Sequence, residues 1–303
     1  MFRVSIFEFR ILNLLWLYLT LLAYLVNALV FIVDKYLLVT HIPRPFAYAF
    51  WVAVLSTSAV ALLPFGVVAQ SAGYLLIALA SGSSFFVALI FLYKAIKASD
   101  ISVASTMSGV ATAVFSYFLA MLLLGEPSGV VNIVSIATLI TGTLLLGSSD
   151  KKIWPLAVWA GLFFGVSFVL LKISFDLSDF VNGLFWTRMG FVGAAFASLI
   201  FGPFRKDVIN SFRSSRVRVR AIFVGNKLLA AVGFLFLYYA IRLGEVSVVN
   251  SLLGFQFLFI FILALLLRSK IPRLEENIDR RHLVNKLVGI GFVIAGFLAV
   301  IAQ

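Results

Sequence analysis

Hydrophobic residues fill most of this sequence in long runs that short polar segments interrupt. A helix that crosses the hydrocarbon core of a membrane needs about 20 apolar residues in succession, whereas the strands of a membrane barrel alternate apolar with polar positions. The runs therefore predict an all-α membrane protein with ten transmembrane helices. We expect these spans at residues 11–33, 46–69, 73–97, 101–124, 129–147, 154–174, 181–203, 219–242, 246–267 and 284–302.

The composition excludes the other main classes of protein. Of the 303 residues, 63% are hydrophobic and 12% are charged, whereas a soluble domain is about half apolar and about a quarter charged. A chain of this length has no interior large enough to bury the excess. The absence of cysteine removes disulfides and cysteine-bound metals. Soluble enzymes, disordered chains and disulfide-rich secreted domains are thus excluded.

The sequence repeats itself about halfway along its length. The segment FLYKAIKASDISVAS begins at Phe91 and FLYYAIRLGEVSVVN begins at Phe236, so equivalent positions here are 145 residues apart. Earlier in each half the spacing is slightly shorter, and the matching residues are Lys35 with Lys172 and Phe50-Trp51 with Phe185-Trp186. We therefore predict two repeats, at residues 1–148 and 149–303, within one transmembrane domain.

Each predicted repeat holds five spans, and an odd number places the second repeat upside down in the membrane. The loop between spans 2 and 3 has no Lys or Arg, whereas the equivalent loop between spans 7 and 8 has six. Loops that follow odd-numbered spans hold 18 Lys and Arg, and the other loops and the tails hold four. The positive-inside rule then places the odd loops in the cytoplasm and both termini outside. The net charge of +12 reflects this orientation rather than nucleic-acid binding.

The repeated segments resemble those of the ten-span, EamA-type members of the drug/metabolite transporter superfamily. The resemblance covers nearly the whole chain and rests on FLYKAIKASDISVAS with the following AMLLLGEP, and on FLYYAIRLGEVSVVN with the downstream ALLLRSKIP. In the second half Arg268-Ser269-Lys270 replaces the family's Leu-Gly-Glu step. The resemblance implies a substrate cavity lined by spans 1–4 and 6–9, with spans 5 and 10 at the periphery. Members are often described with cytoplasmic termini, and the charge count predicts the reverse for this chain.

Ionisable side chains inside a span are candidates for function, because an unpaired charge in the membrane is costly. All twelve carboxylates fall in loops, tails or the last turn of a predicted span, which disfavours a proton-coupled exporter of cations. Arg188 and Lys227 lie inside spans 7 and 8, and their repeat partners are Ala53 and Gly82. Without a nearby acid, the two cations favour a substrate with a carboxylate or phosphate group. The alternative is that they reach the membrane surface or cap a broken helix.

Hydroxyl residues of span 4 are predicted to form a polar wall of the cavity. Ser105, Ser108 and Thr112 lie on one helical face. The alternatives are hydroxyl bonds to the helix backbone and close helix packing. We also expect substrate contacts from two amides, Asn226 and Asn250, and from three repeat-matched aromatic residues, Tyr93, Tyr238 and Trp186, for which a membrane belt is the alternative.

Two pairs of residues indicate structure rather than chemistry. Lys35 and Lys172 occupy matching ends of spans 1 and 6, and we interpret them as interfacial anchors. The alternative is a pair of gating cations at the two mouths of the cavity. Gly161 and Gly165 in GLFFG are four residues apart, a spacing that indicates close packing of span 6 against another helix.

We therefore predict a secondary transporter of a small organic metabolite with an anionic group, working by alternating access, because inverted repeats are typical of such carriers. The alternatives are a pore or a lipid-headgroup flippase on the same scaffold, and a membrane scaffold or enzyme without transport. No metal cluster, nucleotide-binding motif or Ser-His-Asp set stands out, so we expect no enzyme activity, metal or cofactor. We expect a multi-pass monomer or homodimer in the cell membrane, with anionic lipid headgroups at loops 7–8 and 9–10.

Overall fold

Helices make up almost all of the described chain. The computed structural model describes residues 6–42, 44–126, 129–147, 151–214, 216–267 and 280–301, and this part contains no β-strand. Two 3₁₀ segments, Ser56–Phe65 and Lys151–Ile153, continue α2 and precede α6. The α-helices are α1 (Ile6–Thr40), α2 (Pro45–Leu55), α3 (Ala72–Ala98), α4 (Ile101–Leu123), α5 (Val130–Gly147), α6 (Trp154–Leu177), α7 (Phe180–Ser198), α8 (Gly202–Ser214), α9 (Val217–Leu243), α10 (Val246–Ser251), α11 (Leu253–Leu267) and α12 (Arg280–Ile301).

The helices confirm an integral membrane protein with several spans. Within the described ranges, seven helices or continuous helix pairs are long and apolar enough to cross a membrane, or eight if the bent pair α7–α8 forms one span. The α5 and α12 helices hold shorter apolar stretches, Ile133–Gly142 and Leu287–Gly296. The class is therefore as predicted, and the count that the described helices support is seven or eight.

Several predicted boundaries differ from the helices that form. Span 1 does not end at residue 33, because α1 continues to Thr40. Span 2 changes from α-helix to a 3₁₀ helix at Ser56, an unusually long 3₁₀ run. Span 9 is interrupted at Leu252, which separates α10 from α11. The predicted loop between spans 9 and 10 covers 268–283; residues 268–279 lie outside the described residues, and 280–283 belong to α12.

The segment predicted as the loop between spans 7 and 8 is instead largely a helix. α8 turns by 104° from α7 and packs against α2. The ring of Phe204 stacks on Phe46 with centroids 4.1 Å apart, and the indole N–H of Trp51 donates to the hydroxyl of Ser211 at 3.1 Å. These contacts fix α8 across the end of α2.

The packing of the long helices follows a regular scheme. α1 lies along α9 and α11, and α6 lies along α3 and α4. α5 packs mainly against α12, and this pair joins the central group through contacts of α5 with α4 and of α12 with α11. Every main contact of α1 and α6 is therefore with a helix from the other half of the chain.

Two glycines allow α6 to approach α4 closely. A Cβ placed on Gly161 would lie 2.3 Å from the Cβ of Ala111, and one on Gly165 would lie 2.9 Å from the Cβ of Phe115. Those distances are shorter than any side chain tolerates, so the helices meet backbone to backbone. The predicted packing role of the two glycines is confirmed.

The side chain of Glu126 joins the end of α4 to the start of α10. Its carboxylate accepts hydrogen bonds from the backbone N–H of Val246 at 2.9 Å, from the N–H of Ser247 at 3.3 Å and from the Ser247 hydroxyl. Gly125, with φ of +68°, supplies the turn that directs the side chain there. Glu126 thus satisfies free N–H groups at the start of α10, although it lies 120 positions from Val246 in the sequence.

Candidate functional site

A cavity of about 350 Å³ lies among α1, α2 with its 3₁₀ continuation, α3, α6, α7 and α9. Its wall is mostly aliphatic and aromatic. Three charged side chains reach it: Asp34 from α1, Arg188 from α7 and Lys227 from α9. A largely apolar cavity with a few polar groups is the usual form of a small-molecule site.

Asp34 and Lys227 form a buried ion pair in this cavity. The Lys227 Nζ lies 2.6 Å from Oδ1 and 2.8 Å from Oδ2 of Asp34. Asp34 is 1% exposed and Lys227 is 7% exposed. Each charge offsets the desolvation of the other, which is the condition under which both remain inside a membrane protein.

Neutral groups complete the surroundings of the pair. The Tyr48 hydroxyl donates to Asp34 Oδ1 at 2.7 Å, and the Asn226 side-chain N–H donates to the same atom at 2.6 Å. The Lys227 Nζ donates to the Tyr93 hydroxyl at 3.4 Å and lies 4.9 Å from the centre of the Tyr48 ring. The cluster therefore joins α1, α2, α3 and α9 at one point.

The expectation that every carboxylate lies in a loop or at the end of a span is wrong for Asp34. Asp34 is six residues before the end of α1, which runs to Thr40. The hydropathy pattern breaks at Asp34-Lys35, and this break placed the end of the predicted span too early. The apolar run Tyr36–Val39 that follows was the available signal that the helix continues. Tyr48, its hydroxyl partner, was missed for the same reason.

This correction changes the interpretation of Lys227. Its charge is neutralised by Asp34, so it does not offer an unpaired cation to a substrate. The side-chain N–H groups of Asn226 are likewise occupied, since they bind Asp34 and the backbone oxygen of Val30 at 3.3 Å, whereas its Oδ1 has no hydrogen-bond partner among the described residues. The sequence placed both residues at the cavity, and only the fold shows that they serve the ion pair.

Arg188 is different, although it faces the same cavity. It lies near the middle of α7, eight residues after Phe180, and forms no ion pair with a carboxylate in the described part of the chain. Its guanidinium is surrounded by aromatic rings. The distances from its Cζ to the ring centroids are 5.0 Å for Tyr238, 5.7 Å for Phe85, 5.8 Å for Phe234 and 6.0 Å for Phe191. Rings stabilise a cation without neutralising it.

The three predicted aromatic residues have different positions. Tyr93 lines the cavity and contacts Lys227. Tyr238 contacts Arg188 from behind the cavity wall. Trp186 lies apart, and its indole N–H donates to the backbone oxygen of Val68 at 3.2 Å. Of the three, Tyr93 is the one whose side chain reaches the cavity.

The predicted polar stripe of α4 lines a second, smaller cavity of about 50 Å³. Each hydroxyl donates to a carbonyl one turn earlier in its own helix: Ser105 to Ile101 at 2.5 Å, Ser108 to Ala104 at 2.9 Å and Thr112 to Ser108 at 2.8 Å. Asn250 of α10 faces the same space. The stripe thus forms a polar wall as predicted, and the backbone bonds offered as its alternative also form.

Lys35 and Lys172 each cap the end of a helix. The Lys35 Nζ donates to the backbone oxygens of Ile96 at 2.8 Å and Ser99 at 2.6 Å, at the end of α3. The Lys172 Nζ donates to the backbone oxygen of Arg242 at 3.0 Å, at the end of α9. A cation is favourable at these carbonyls because helix C-termini carry partial negative charge.

The surroundings of Glu245, an acid near Lys172, change the pKa of its carboxyl group. Burial raises the pKa of the Glu245 carboxyl above its usual range, and the nearby Glu126 adds to the rise, while Lys172 opposes it. Glu245 precedes α10 and its side chain does not cap that helix. Glu126 rather than Glu245 therefore caps α10. The position of Glu245 disfavours the charged form of its carboxyl group.

Comparison with known proteins identifies the fold and nothing more specific. No protein-family model and no curated protein matches the sequence. One protein known from a crystal structure superposes with a TM-score of 0.60 over 95% of this chain and 96% of that chain, at 13% sequence identity. The arrangement of helices is therefore one that a protein of similar length adopts.

Proposed function

We propose that this protein is a secondary carrier that moves a small organic anion across a membrane by alternating access. The observation that supports it best is the charge balance of the larger cavity. Its charged lining residues are Asp34, Arg188 and Lys227, so the cavity carries one net positive charge once Asp34 is paired with Lys227. That charge belongs to Arg188, and a monoanionic group on the substrate is its natural counterion.

The chemistry of Arg188 narrows the class of anion. A guanidinium presents a planar set of N–H donors that fits a carboxylate or a phosphate through two parallel bonds. The aromatic rings around it hold the side chain in place and leave its charge uncancelled. An organic acid whose apolar body rests on Phe85 and Phe234, the two of these rings that line the cavity, fits both the charge and the wall.

Alternating access rests on the proposed inverted repeat of ten spans, with α5 and α12 as the fifth and tenth. Equivalent residues make equivalent contacts between the halves. Asn226 donates to the backbone oxygen of Val30, and its repeat partner Ser81 donates to that of Ser167, the repeat partner of Val30. The cap made by Lys35 on α3 likewise corresponds to the cap made by Lys172 on α9. Two halves related in this way support one shape open to each side of the membrane.

The resemblance to EamA-type carriers, the cell-membrane location and the outward termini belong to this proposal. The proposed contact with anionic lipid headgroups includes α8, because this helix turns by 104° from α7 and carries Arg205 and Lys206. A basic helix that lies across the end of a bundle is suited to the anionic surface of a membrane.

Counterflow in proteoliposomes tests the transport proposal. A thermal-shift screen of organic monoanions selects the substrate, and radiolabelled uptake is then measured into vesicles loaded with unlabelled compound. A carrier gives saturable uptake that rises above its equilibrium level, whereas a pore gives linear flux without overshoot. A flippase would instead move fluorescent lipids, and a scaffold would do neither.

Arg188→Ala tests the assigned residue. We expect it to abolish saturable uptake, while Arg205→Ala on α8, which also removes one arginine, leaves uptake close to that of the wild type. Folding of both variants is checked by size-exclusion chromatography. An active, folded Arg188→Ala variant would remove the basis of the anion assignment.

A further inference from the structure

The small cavity beside the α4 stripe adjoins the larger one. Four side chains line both spaces: Phe31, Leu92, Phe164 and Phe234. One apolar partition therefore separates the charged cavity from the polar one. A ligand whose carbon chain displaces these side chains would reach both.

Among the polar atoms that line the small cavity, acceptor oxygens outnumber N–H donors, which belong to the amides of Asn27, Asn250 and Gln256. The hydroxyl hydrogens of Ser105, Ser108 and Thr112 are already given to helix carbonyls, so each oxygen offers lone pairs. Of the described residues that line this cavity, Asn27 and Asn250 have buried atoms without a hydrogen-bond partner: the Asn27 Oδ1 and both polar atoms of the Asn250 amide. Asn250 is 0% exposed and Asn27 is 3% exposed.

Buried polar atoms without partners are rare, because each costs the desolvation of a group that water would otherwise bind. Two of the residues with such atoms, Asn27 of α1 and Asn250 of α10, line the same space as the α4 stripe. The interruption of span 9 at Leu252 comes two residues after Asn250. Transporters commonly build their substrate sites at such interruptions.

The lining of the small cavity also excludes a charged ligand group. It contains no acidic or basic side chain among the described residues. An ammonium or carboxylate would lose its hydration there without a counterion, at a much higher cost than a neutral group. The chemistry that fits is a neutral group that donates hydrogen bonds and takes up little space.

We propose that the small cavity is a second subsite, which binds a hydroxyl or primary amide group at the far end of the substrate whose anionic end lies at Arg188. This inference rests on the proposed function and narrows its substrate class to an organic acid with a distal neutral donor. Asn27, Asn250 and the oxygens of the α4 stripe receive that donor. The shared aromatic and aliphatic partition contacts the carbon chain between the two ends.

Binding of paired carboxylates to the purified protein in nanodiscs tests the subsite. The probes are straight-chain carboxylates of four to seven carbons and the ω-hydroxy and ω-amino acids of the same lengths, measured by calorimetry. Without a subsite, the unsubstituted acid binds best because it is the more hydrophobic. We expect the ω-hydroxy acid to bind about tenfold tighter at the matching length, as one or two hydrogen bonds would give.

Two variants and a control locate the effect. Asn250→Leu should reduce the preference for the hydroxyl to within about twofold, and the isosteric Thr112→Val should reduce it by about threefold. Thr141→Val is the matched control, since the Thr141 hydroxyl makes the same bond one turn back, to Ala137 at 2.8 Å, on α5. Thr112→Val keeps the test valid if Asn250→Leu does not fold.

The outcomes separate the subsite from the proposed function. If plain and hydroxylated acids bind equally and both need Arg188, the subsite is wrong and the anion site stands. A preference for the ω-amino acid would also overturn the neutral subsite. If no acid binds, or Arg188→Gln leaves binding unchanged, the proposed function fails and takes the subsite with it.

Discussion

Arg188 and Lys227 face one cavity from different helices, and their surroundings are opposite. Lys227 is held by the carboxylate of Asp34 at 2.6 Å, whereas Arg188 is held by aromatic rings whose centroids lie 5.0 to 6.0 Å away. The first arrangement cancels the charge and the second preserves it. Two cations that look alike in the sequence thus divide into one that joins helices and one that is available to an anion.

The largest effect should follow from breaking the ion pair. We expect Lys227→Met to lower the free energy of unfolding by about 3–5 kcal/mol, because it leaves the Asp34 carboxylate buried without a counterion. In a thermal unfolding experiment this corresponds to a fall in Tm of about 5–8 °C. The double variant Asp34→Asn/Lys227→Met should recover most of the loss, since the amide oxygen introduced at position 34 still accepts from the Tyr48 hydroxyl. A single variant as stable as the wild type would contradict the assigned pairing.

Replacing either of the two helix-capping lysines should lower the stability by less than Lys227→Met does. We expect Lys35→Met to cost about 2 kcal/mol, because the Lys35 ammonium is buried and binds two carbonyls. Lys172→Met should cost less than about 1 kcal/mol, since its side chain is 17% exposed and binds one carbonyl and Asp176. The measurement is again Tm. Equal losses would show that burial does not distinguish the two caps.

Asp34→Asn removes the carboxylate partner of Lys227, so that Lys227, like Arg188, has no counterion among the described residues of the cavity. The cavity then gains a second unpaired positive charge. A second anionic group about 4 Å away would gain roughly 1 kcal/mol in a water-like medium. We therefore expect the ratio of dicarboxylate to monocarboxylate affinity to rise about fivefold, as measured by calorimetry. An unchanged ratio would contradict the prediction that Lys227 becomes available to a second anionic group.

The smallest effect should be that of Arg188→Gln on stability. Arg188 has no carboxylate partner in the described ranges, so its removal strands no opposite charge. We expect Tm to change by no more than about 2 °C, well below the change for Lys227→Met. A loss as large as that of Lys227→Met would mean that Arg188 is structural.

Sequence reasoning predicted the parts of this site that depend on one helix. Arg188 was placed inside a span, and Ser105, Ser108 and Thr112 were placed on one face, because hydropathy and the 3.6-residue period are local properties. Asp34 was misplaced because its neighbour Lys35 made the pair look like the end of a span. Lys35 in fact reaches forward to α3, and Asp34 reaches α9.

By itself the sequence determined the class of the protein and identified two of the residues, Arg188 and Lys227, that carry charge into its spans. These follow from transfer free energies that add along the chain. The tertiary structure alone decided that Lys227 is neutralised by a residue 193 positions away, that Arg188 is not, and that the Asn250 amide is buried without a partner in the described residues. The physical reason is that the energy of a buried polar group depends on which atoms surround it, and distant segments supply those atoms only when the helices pack.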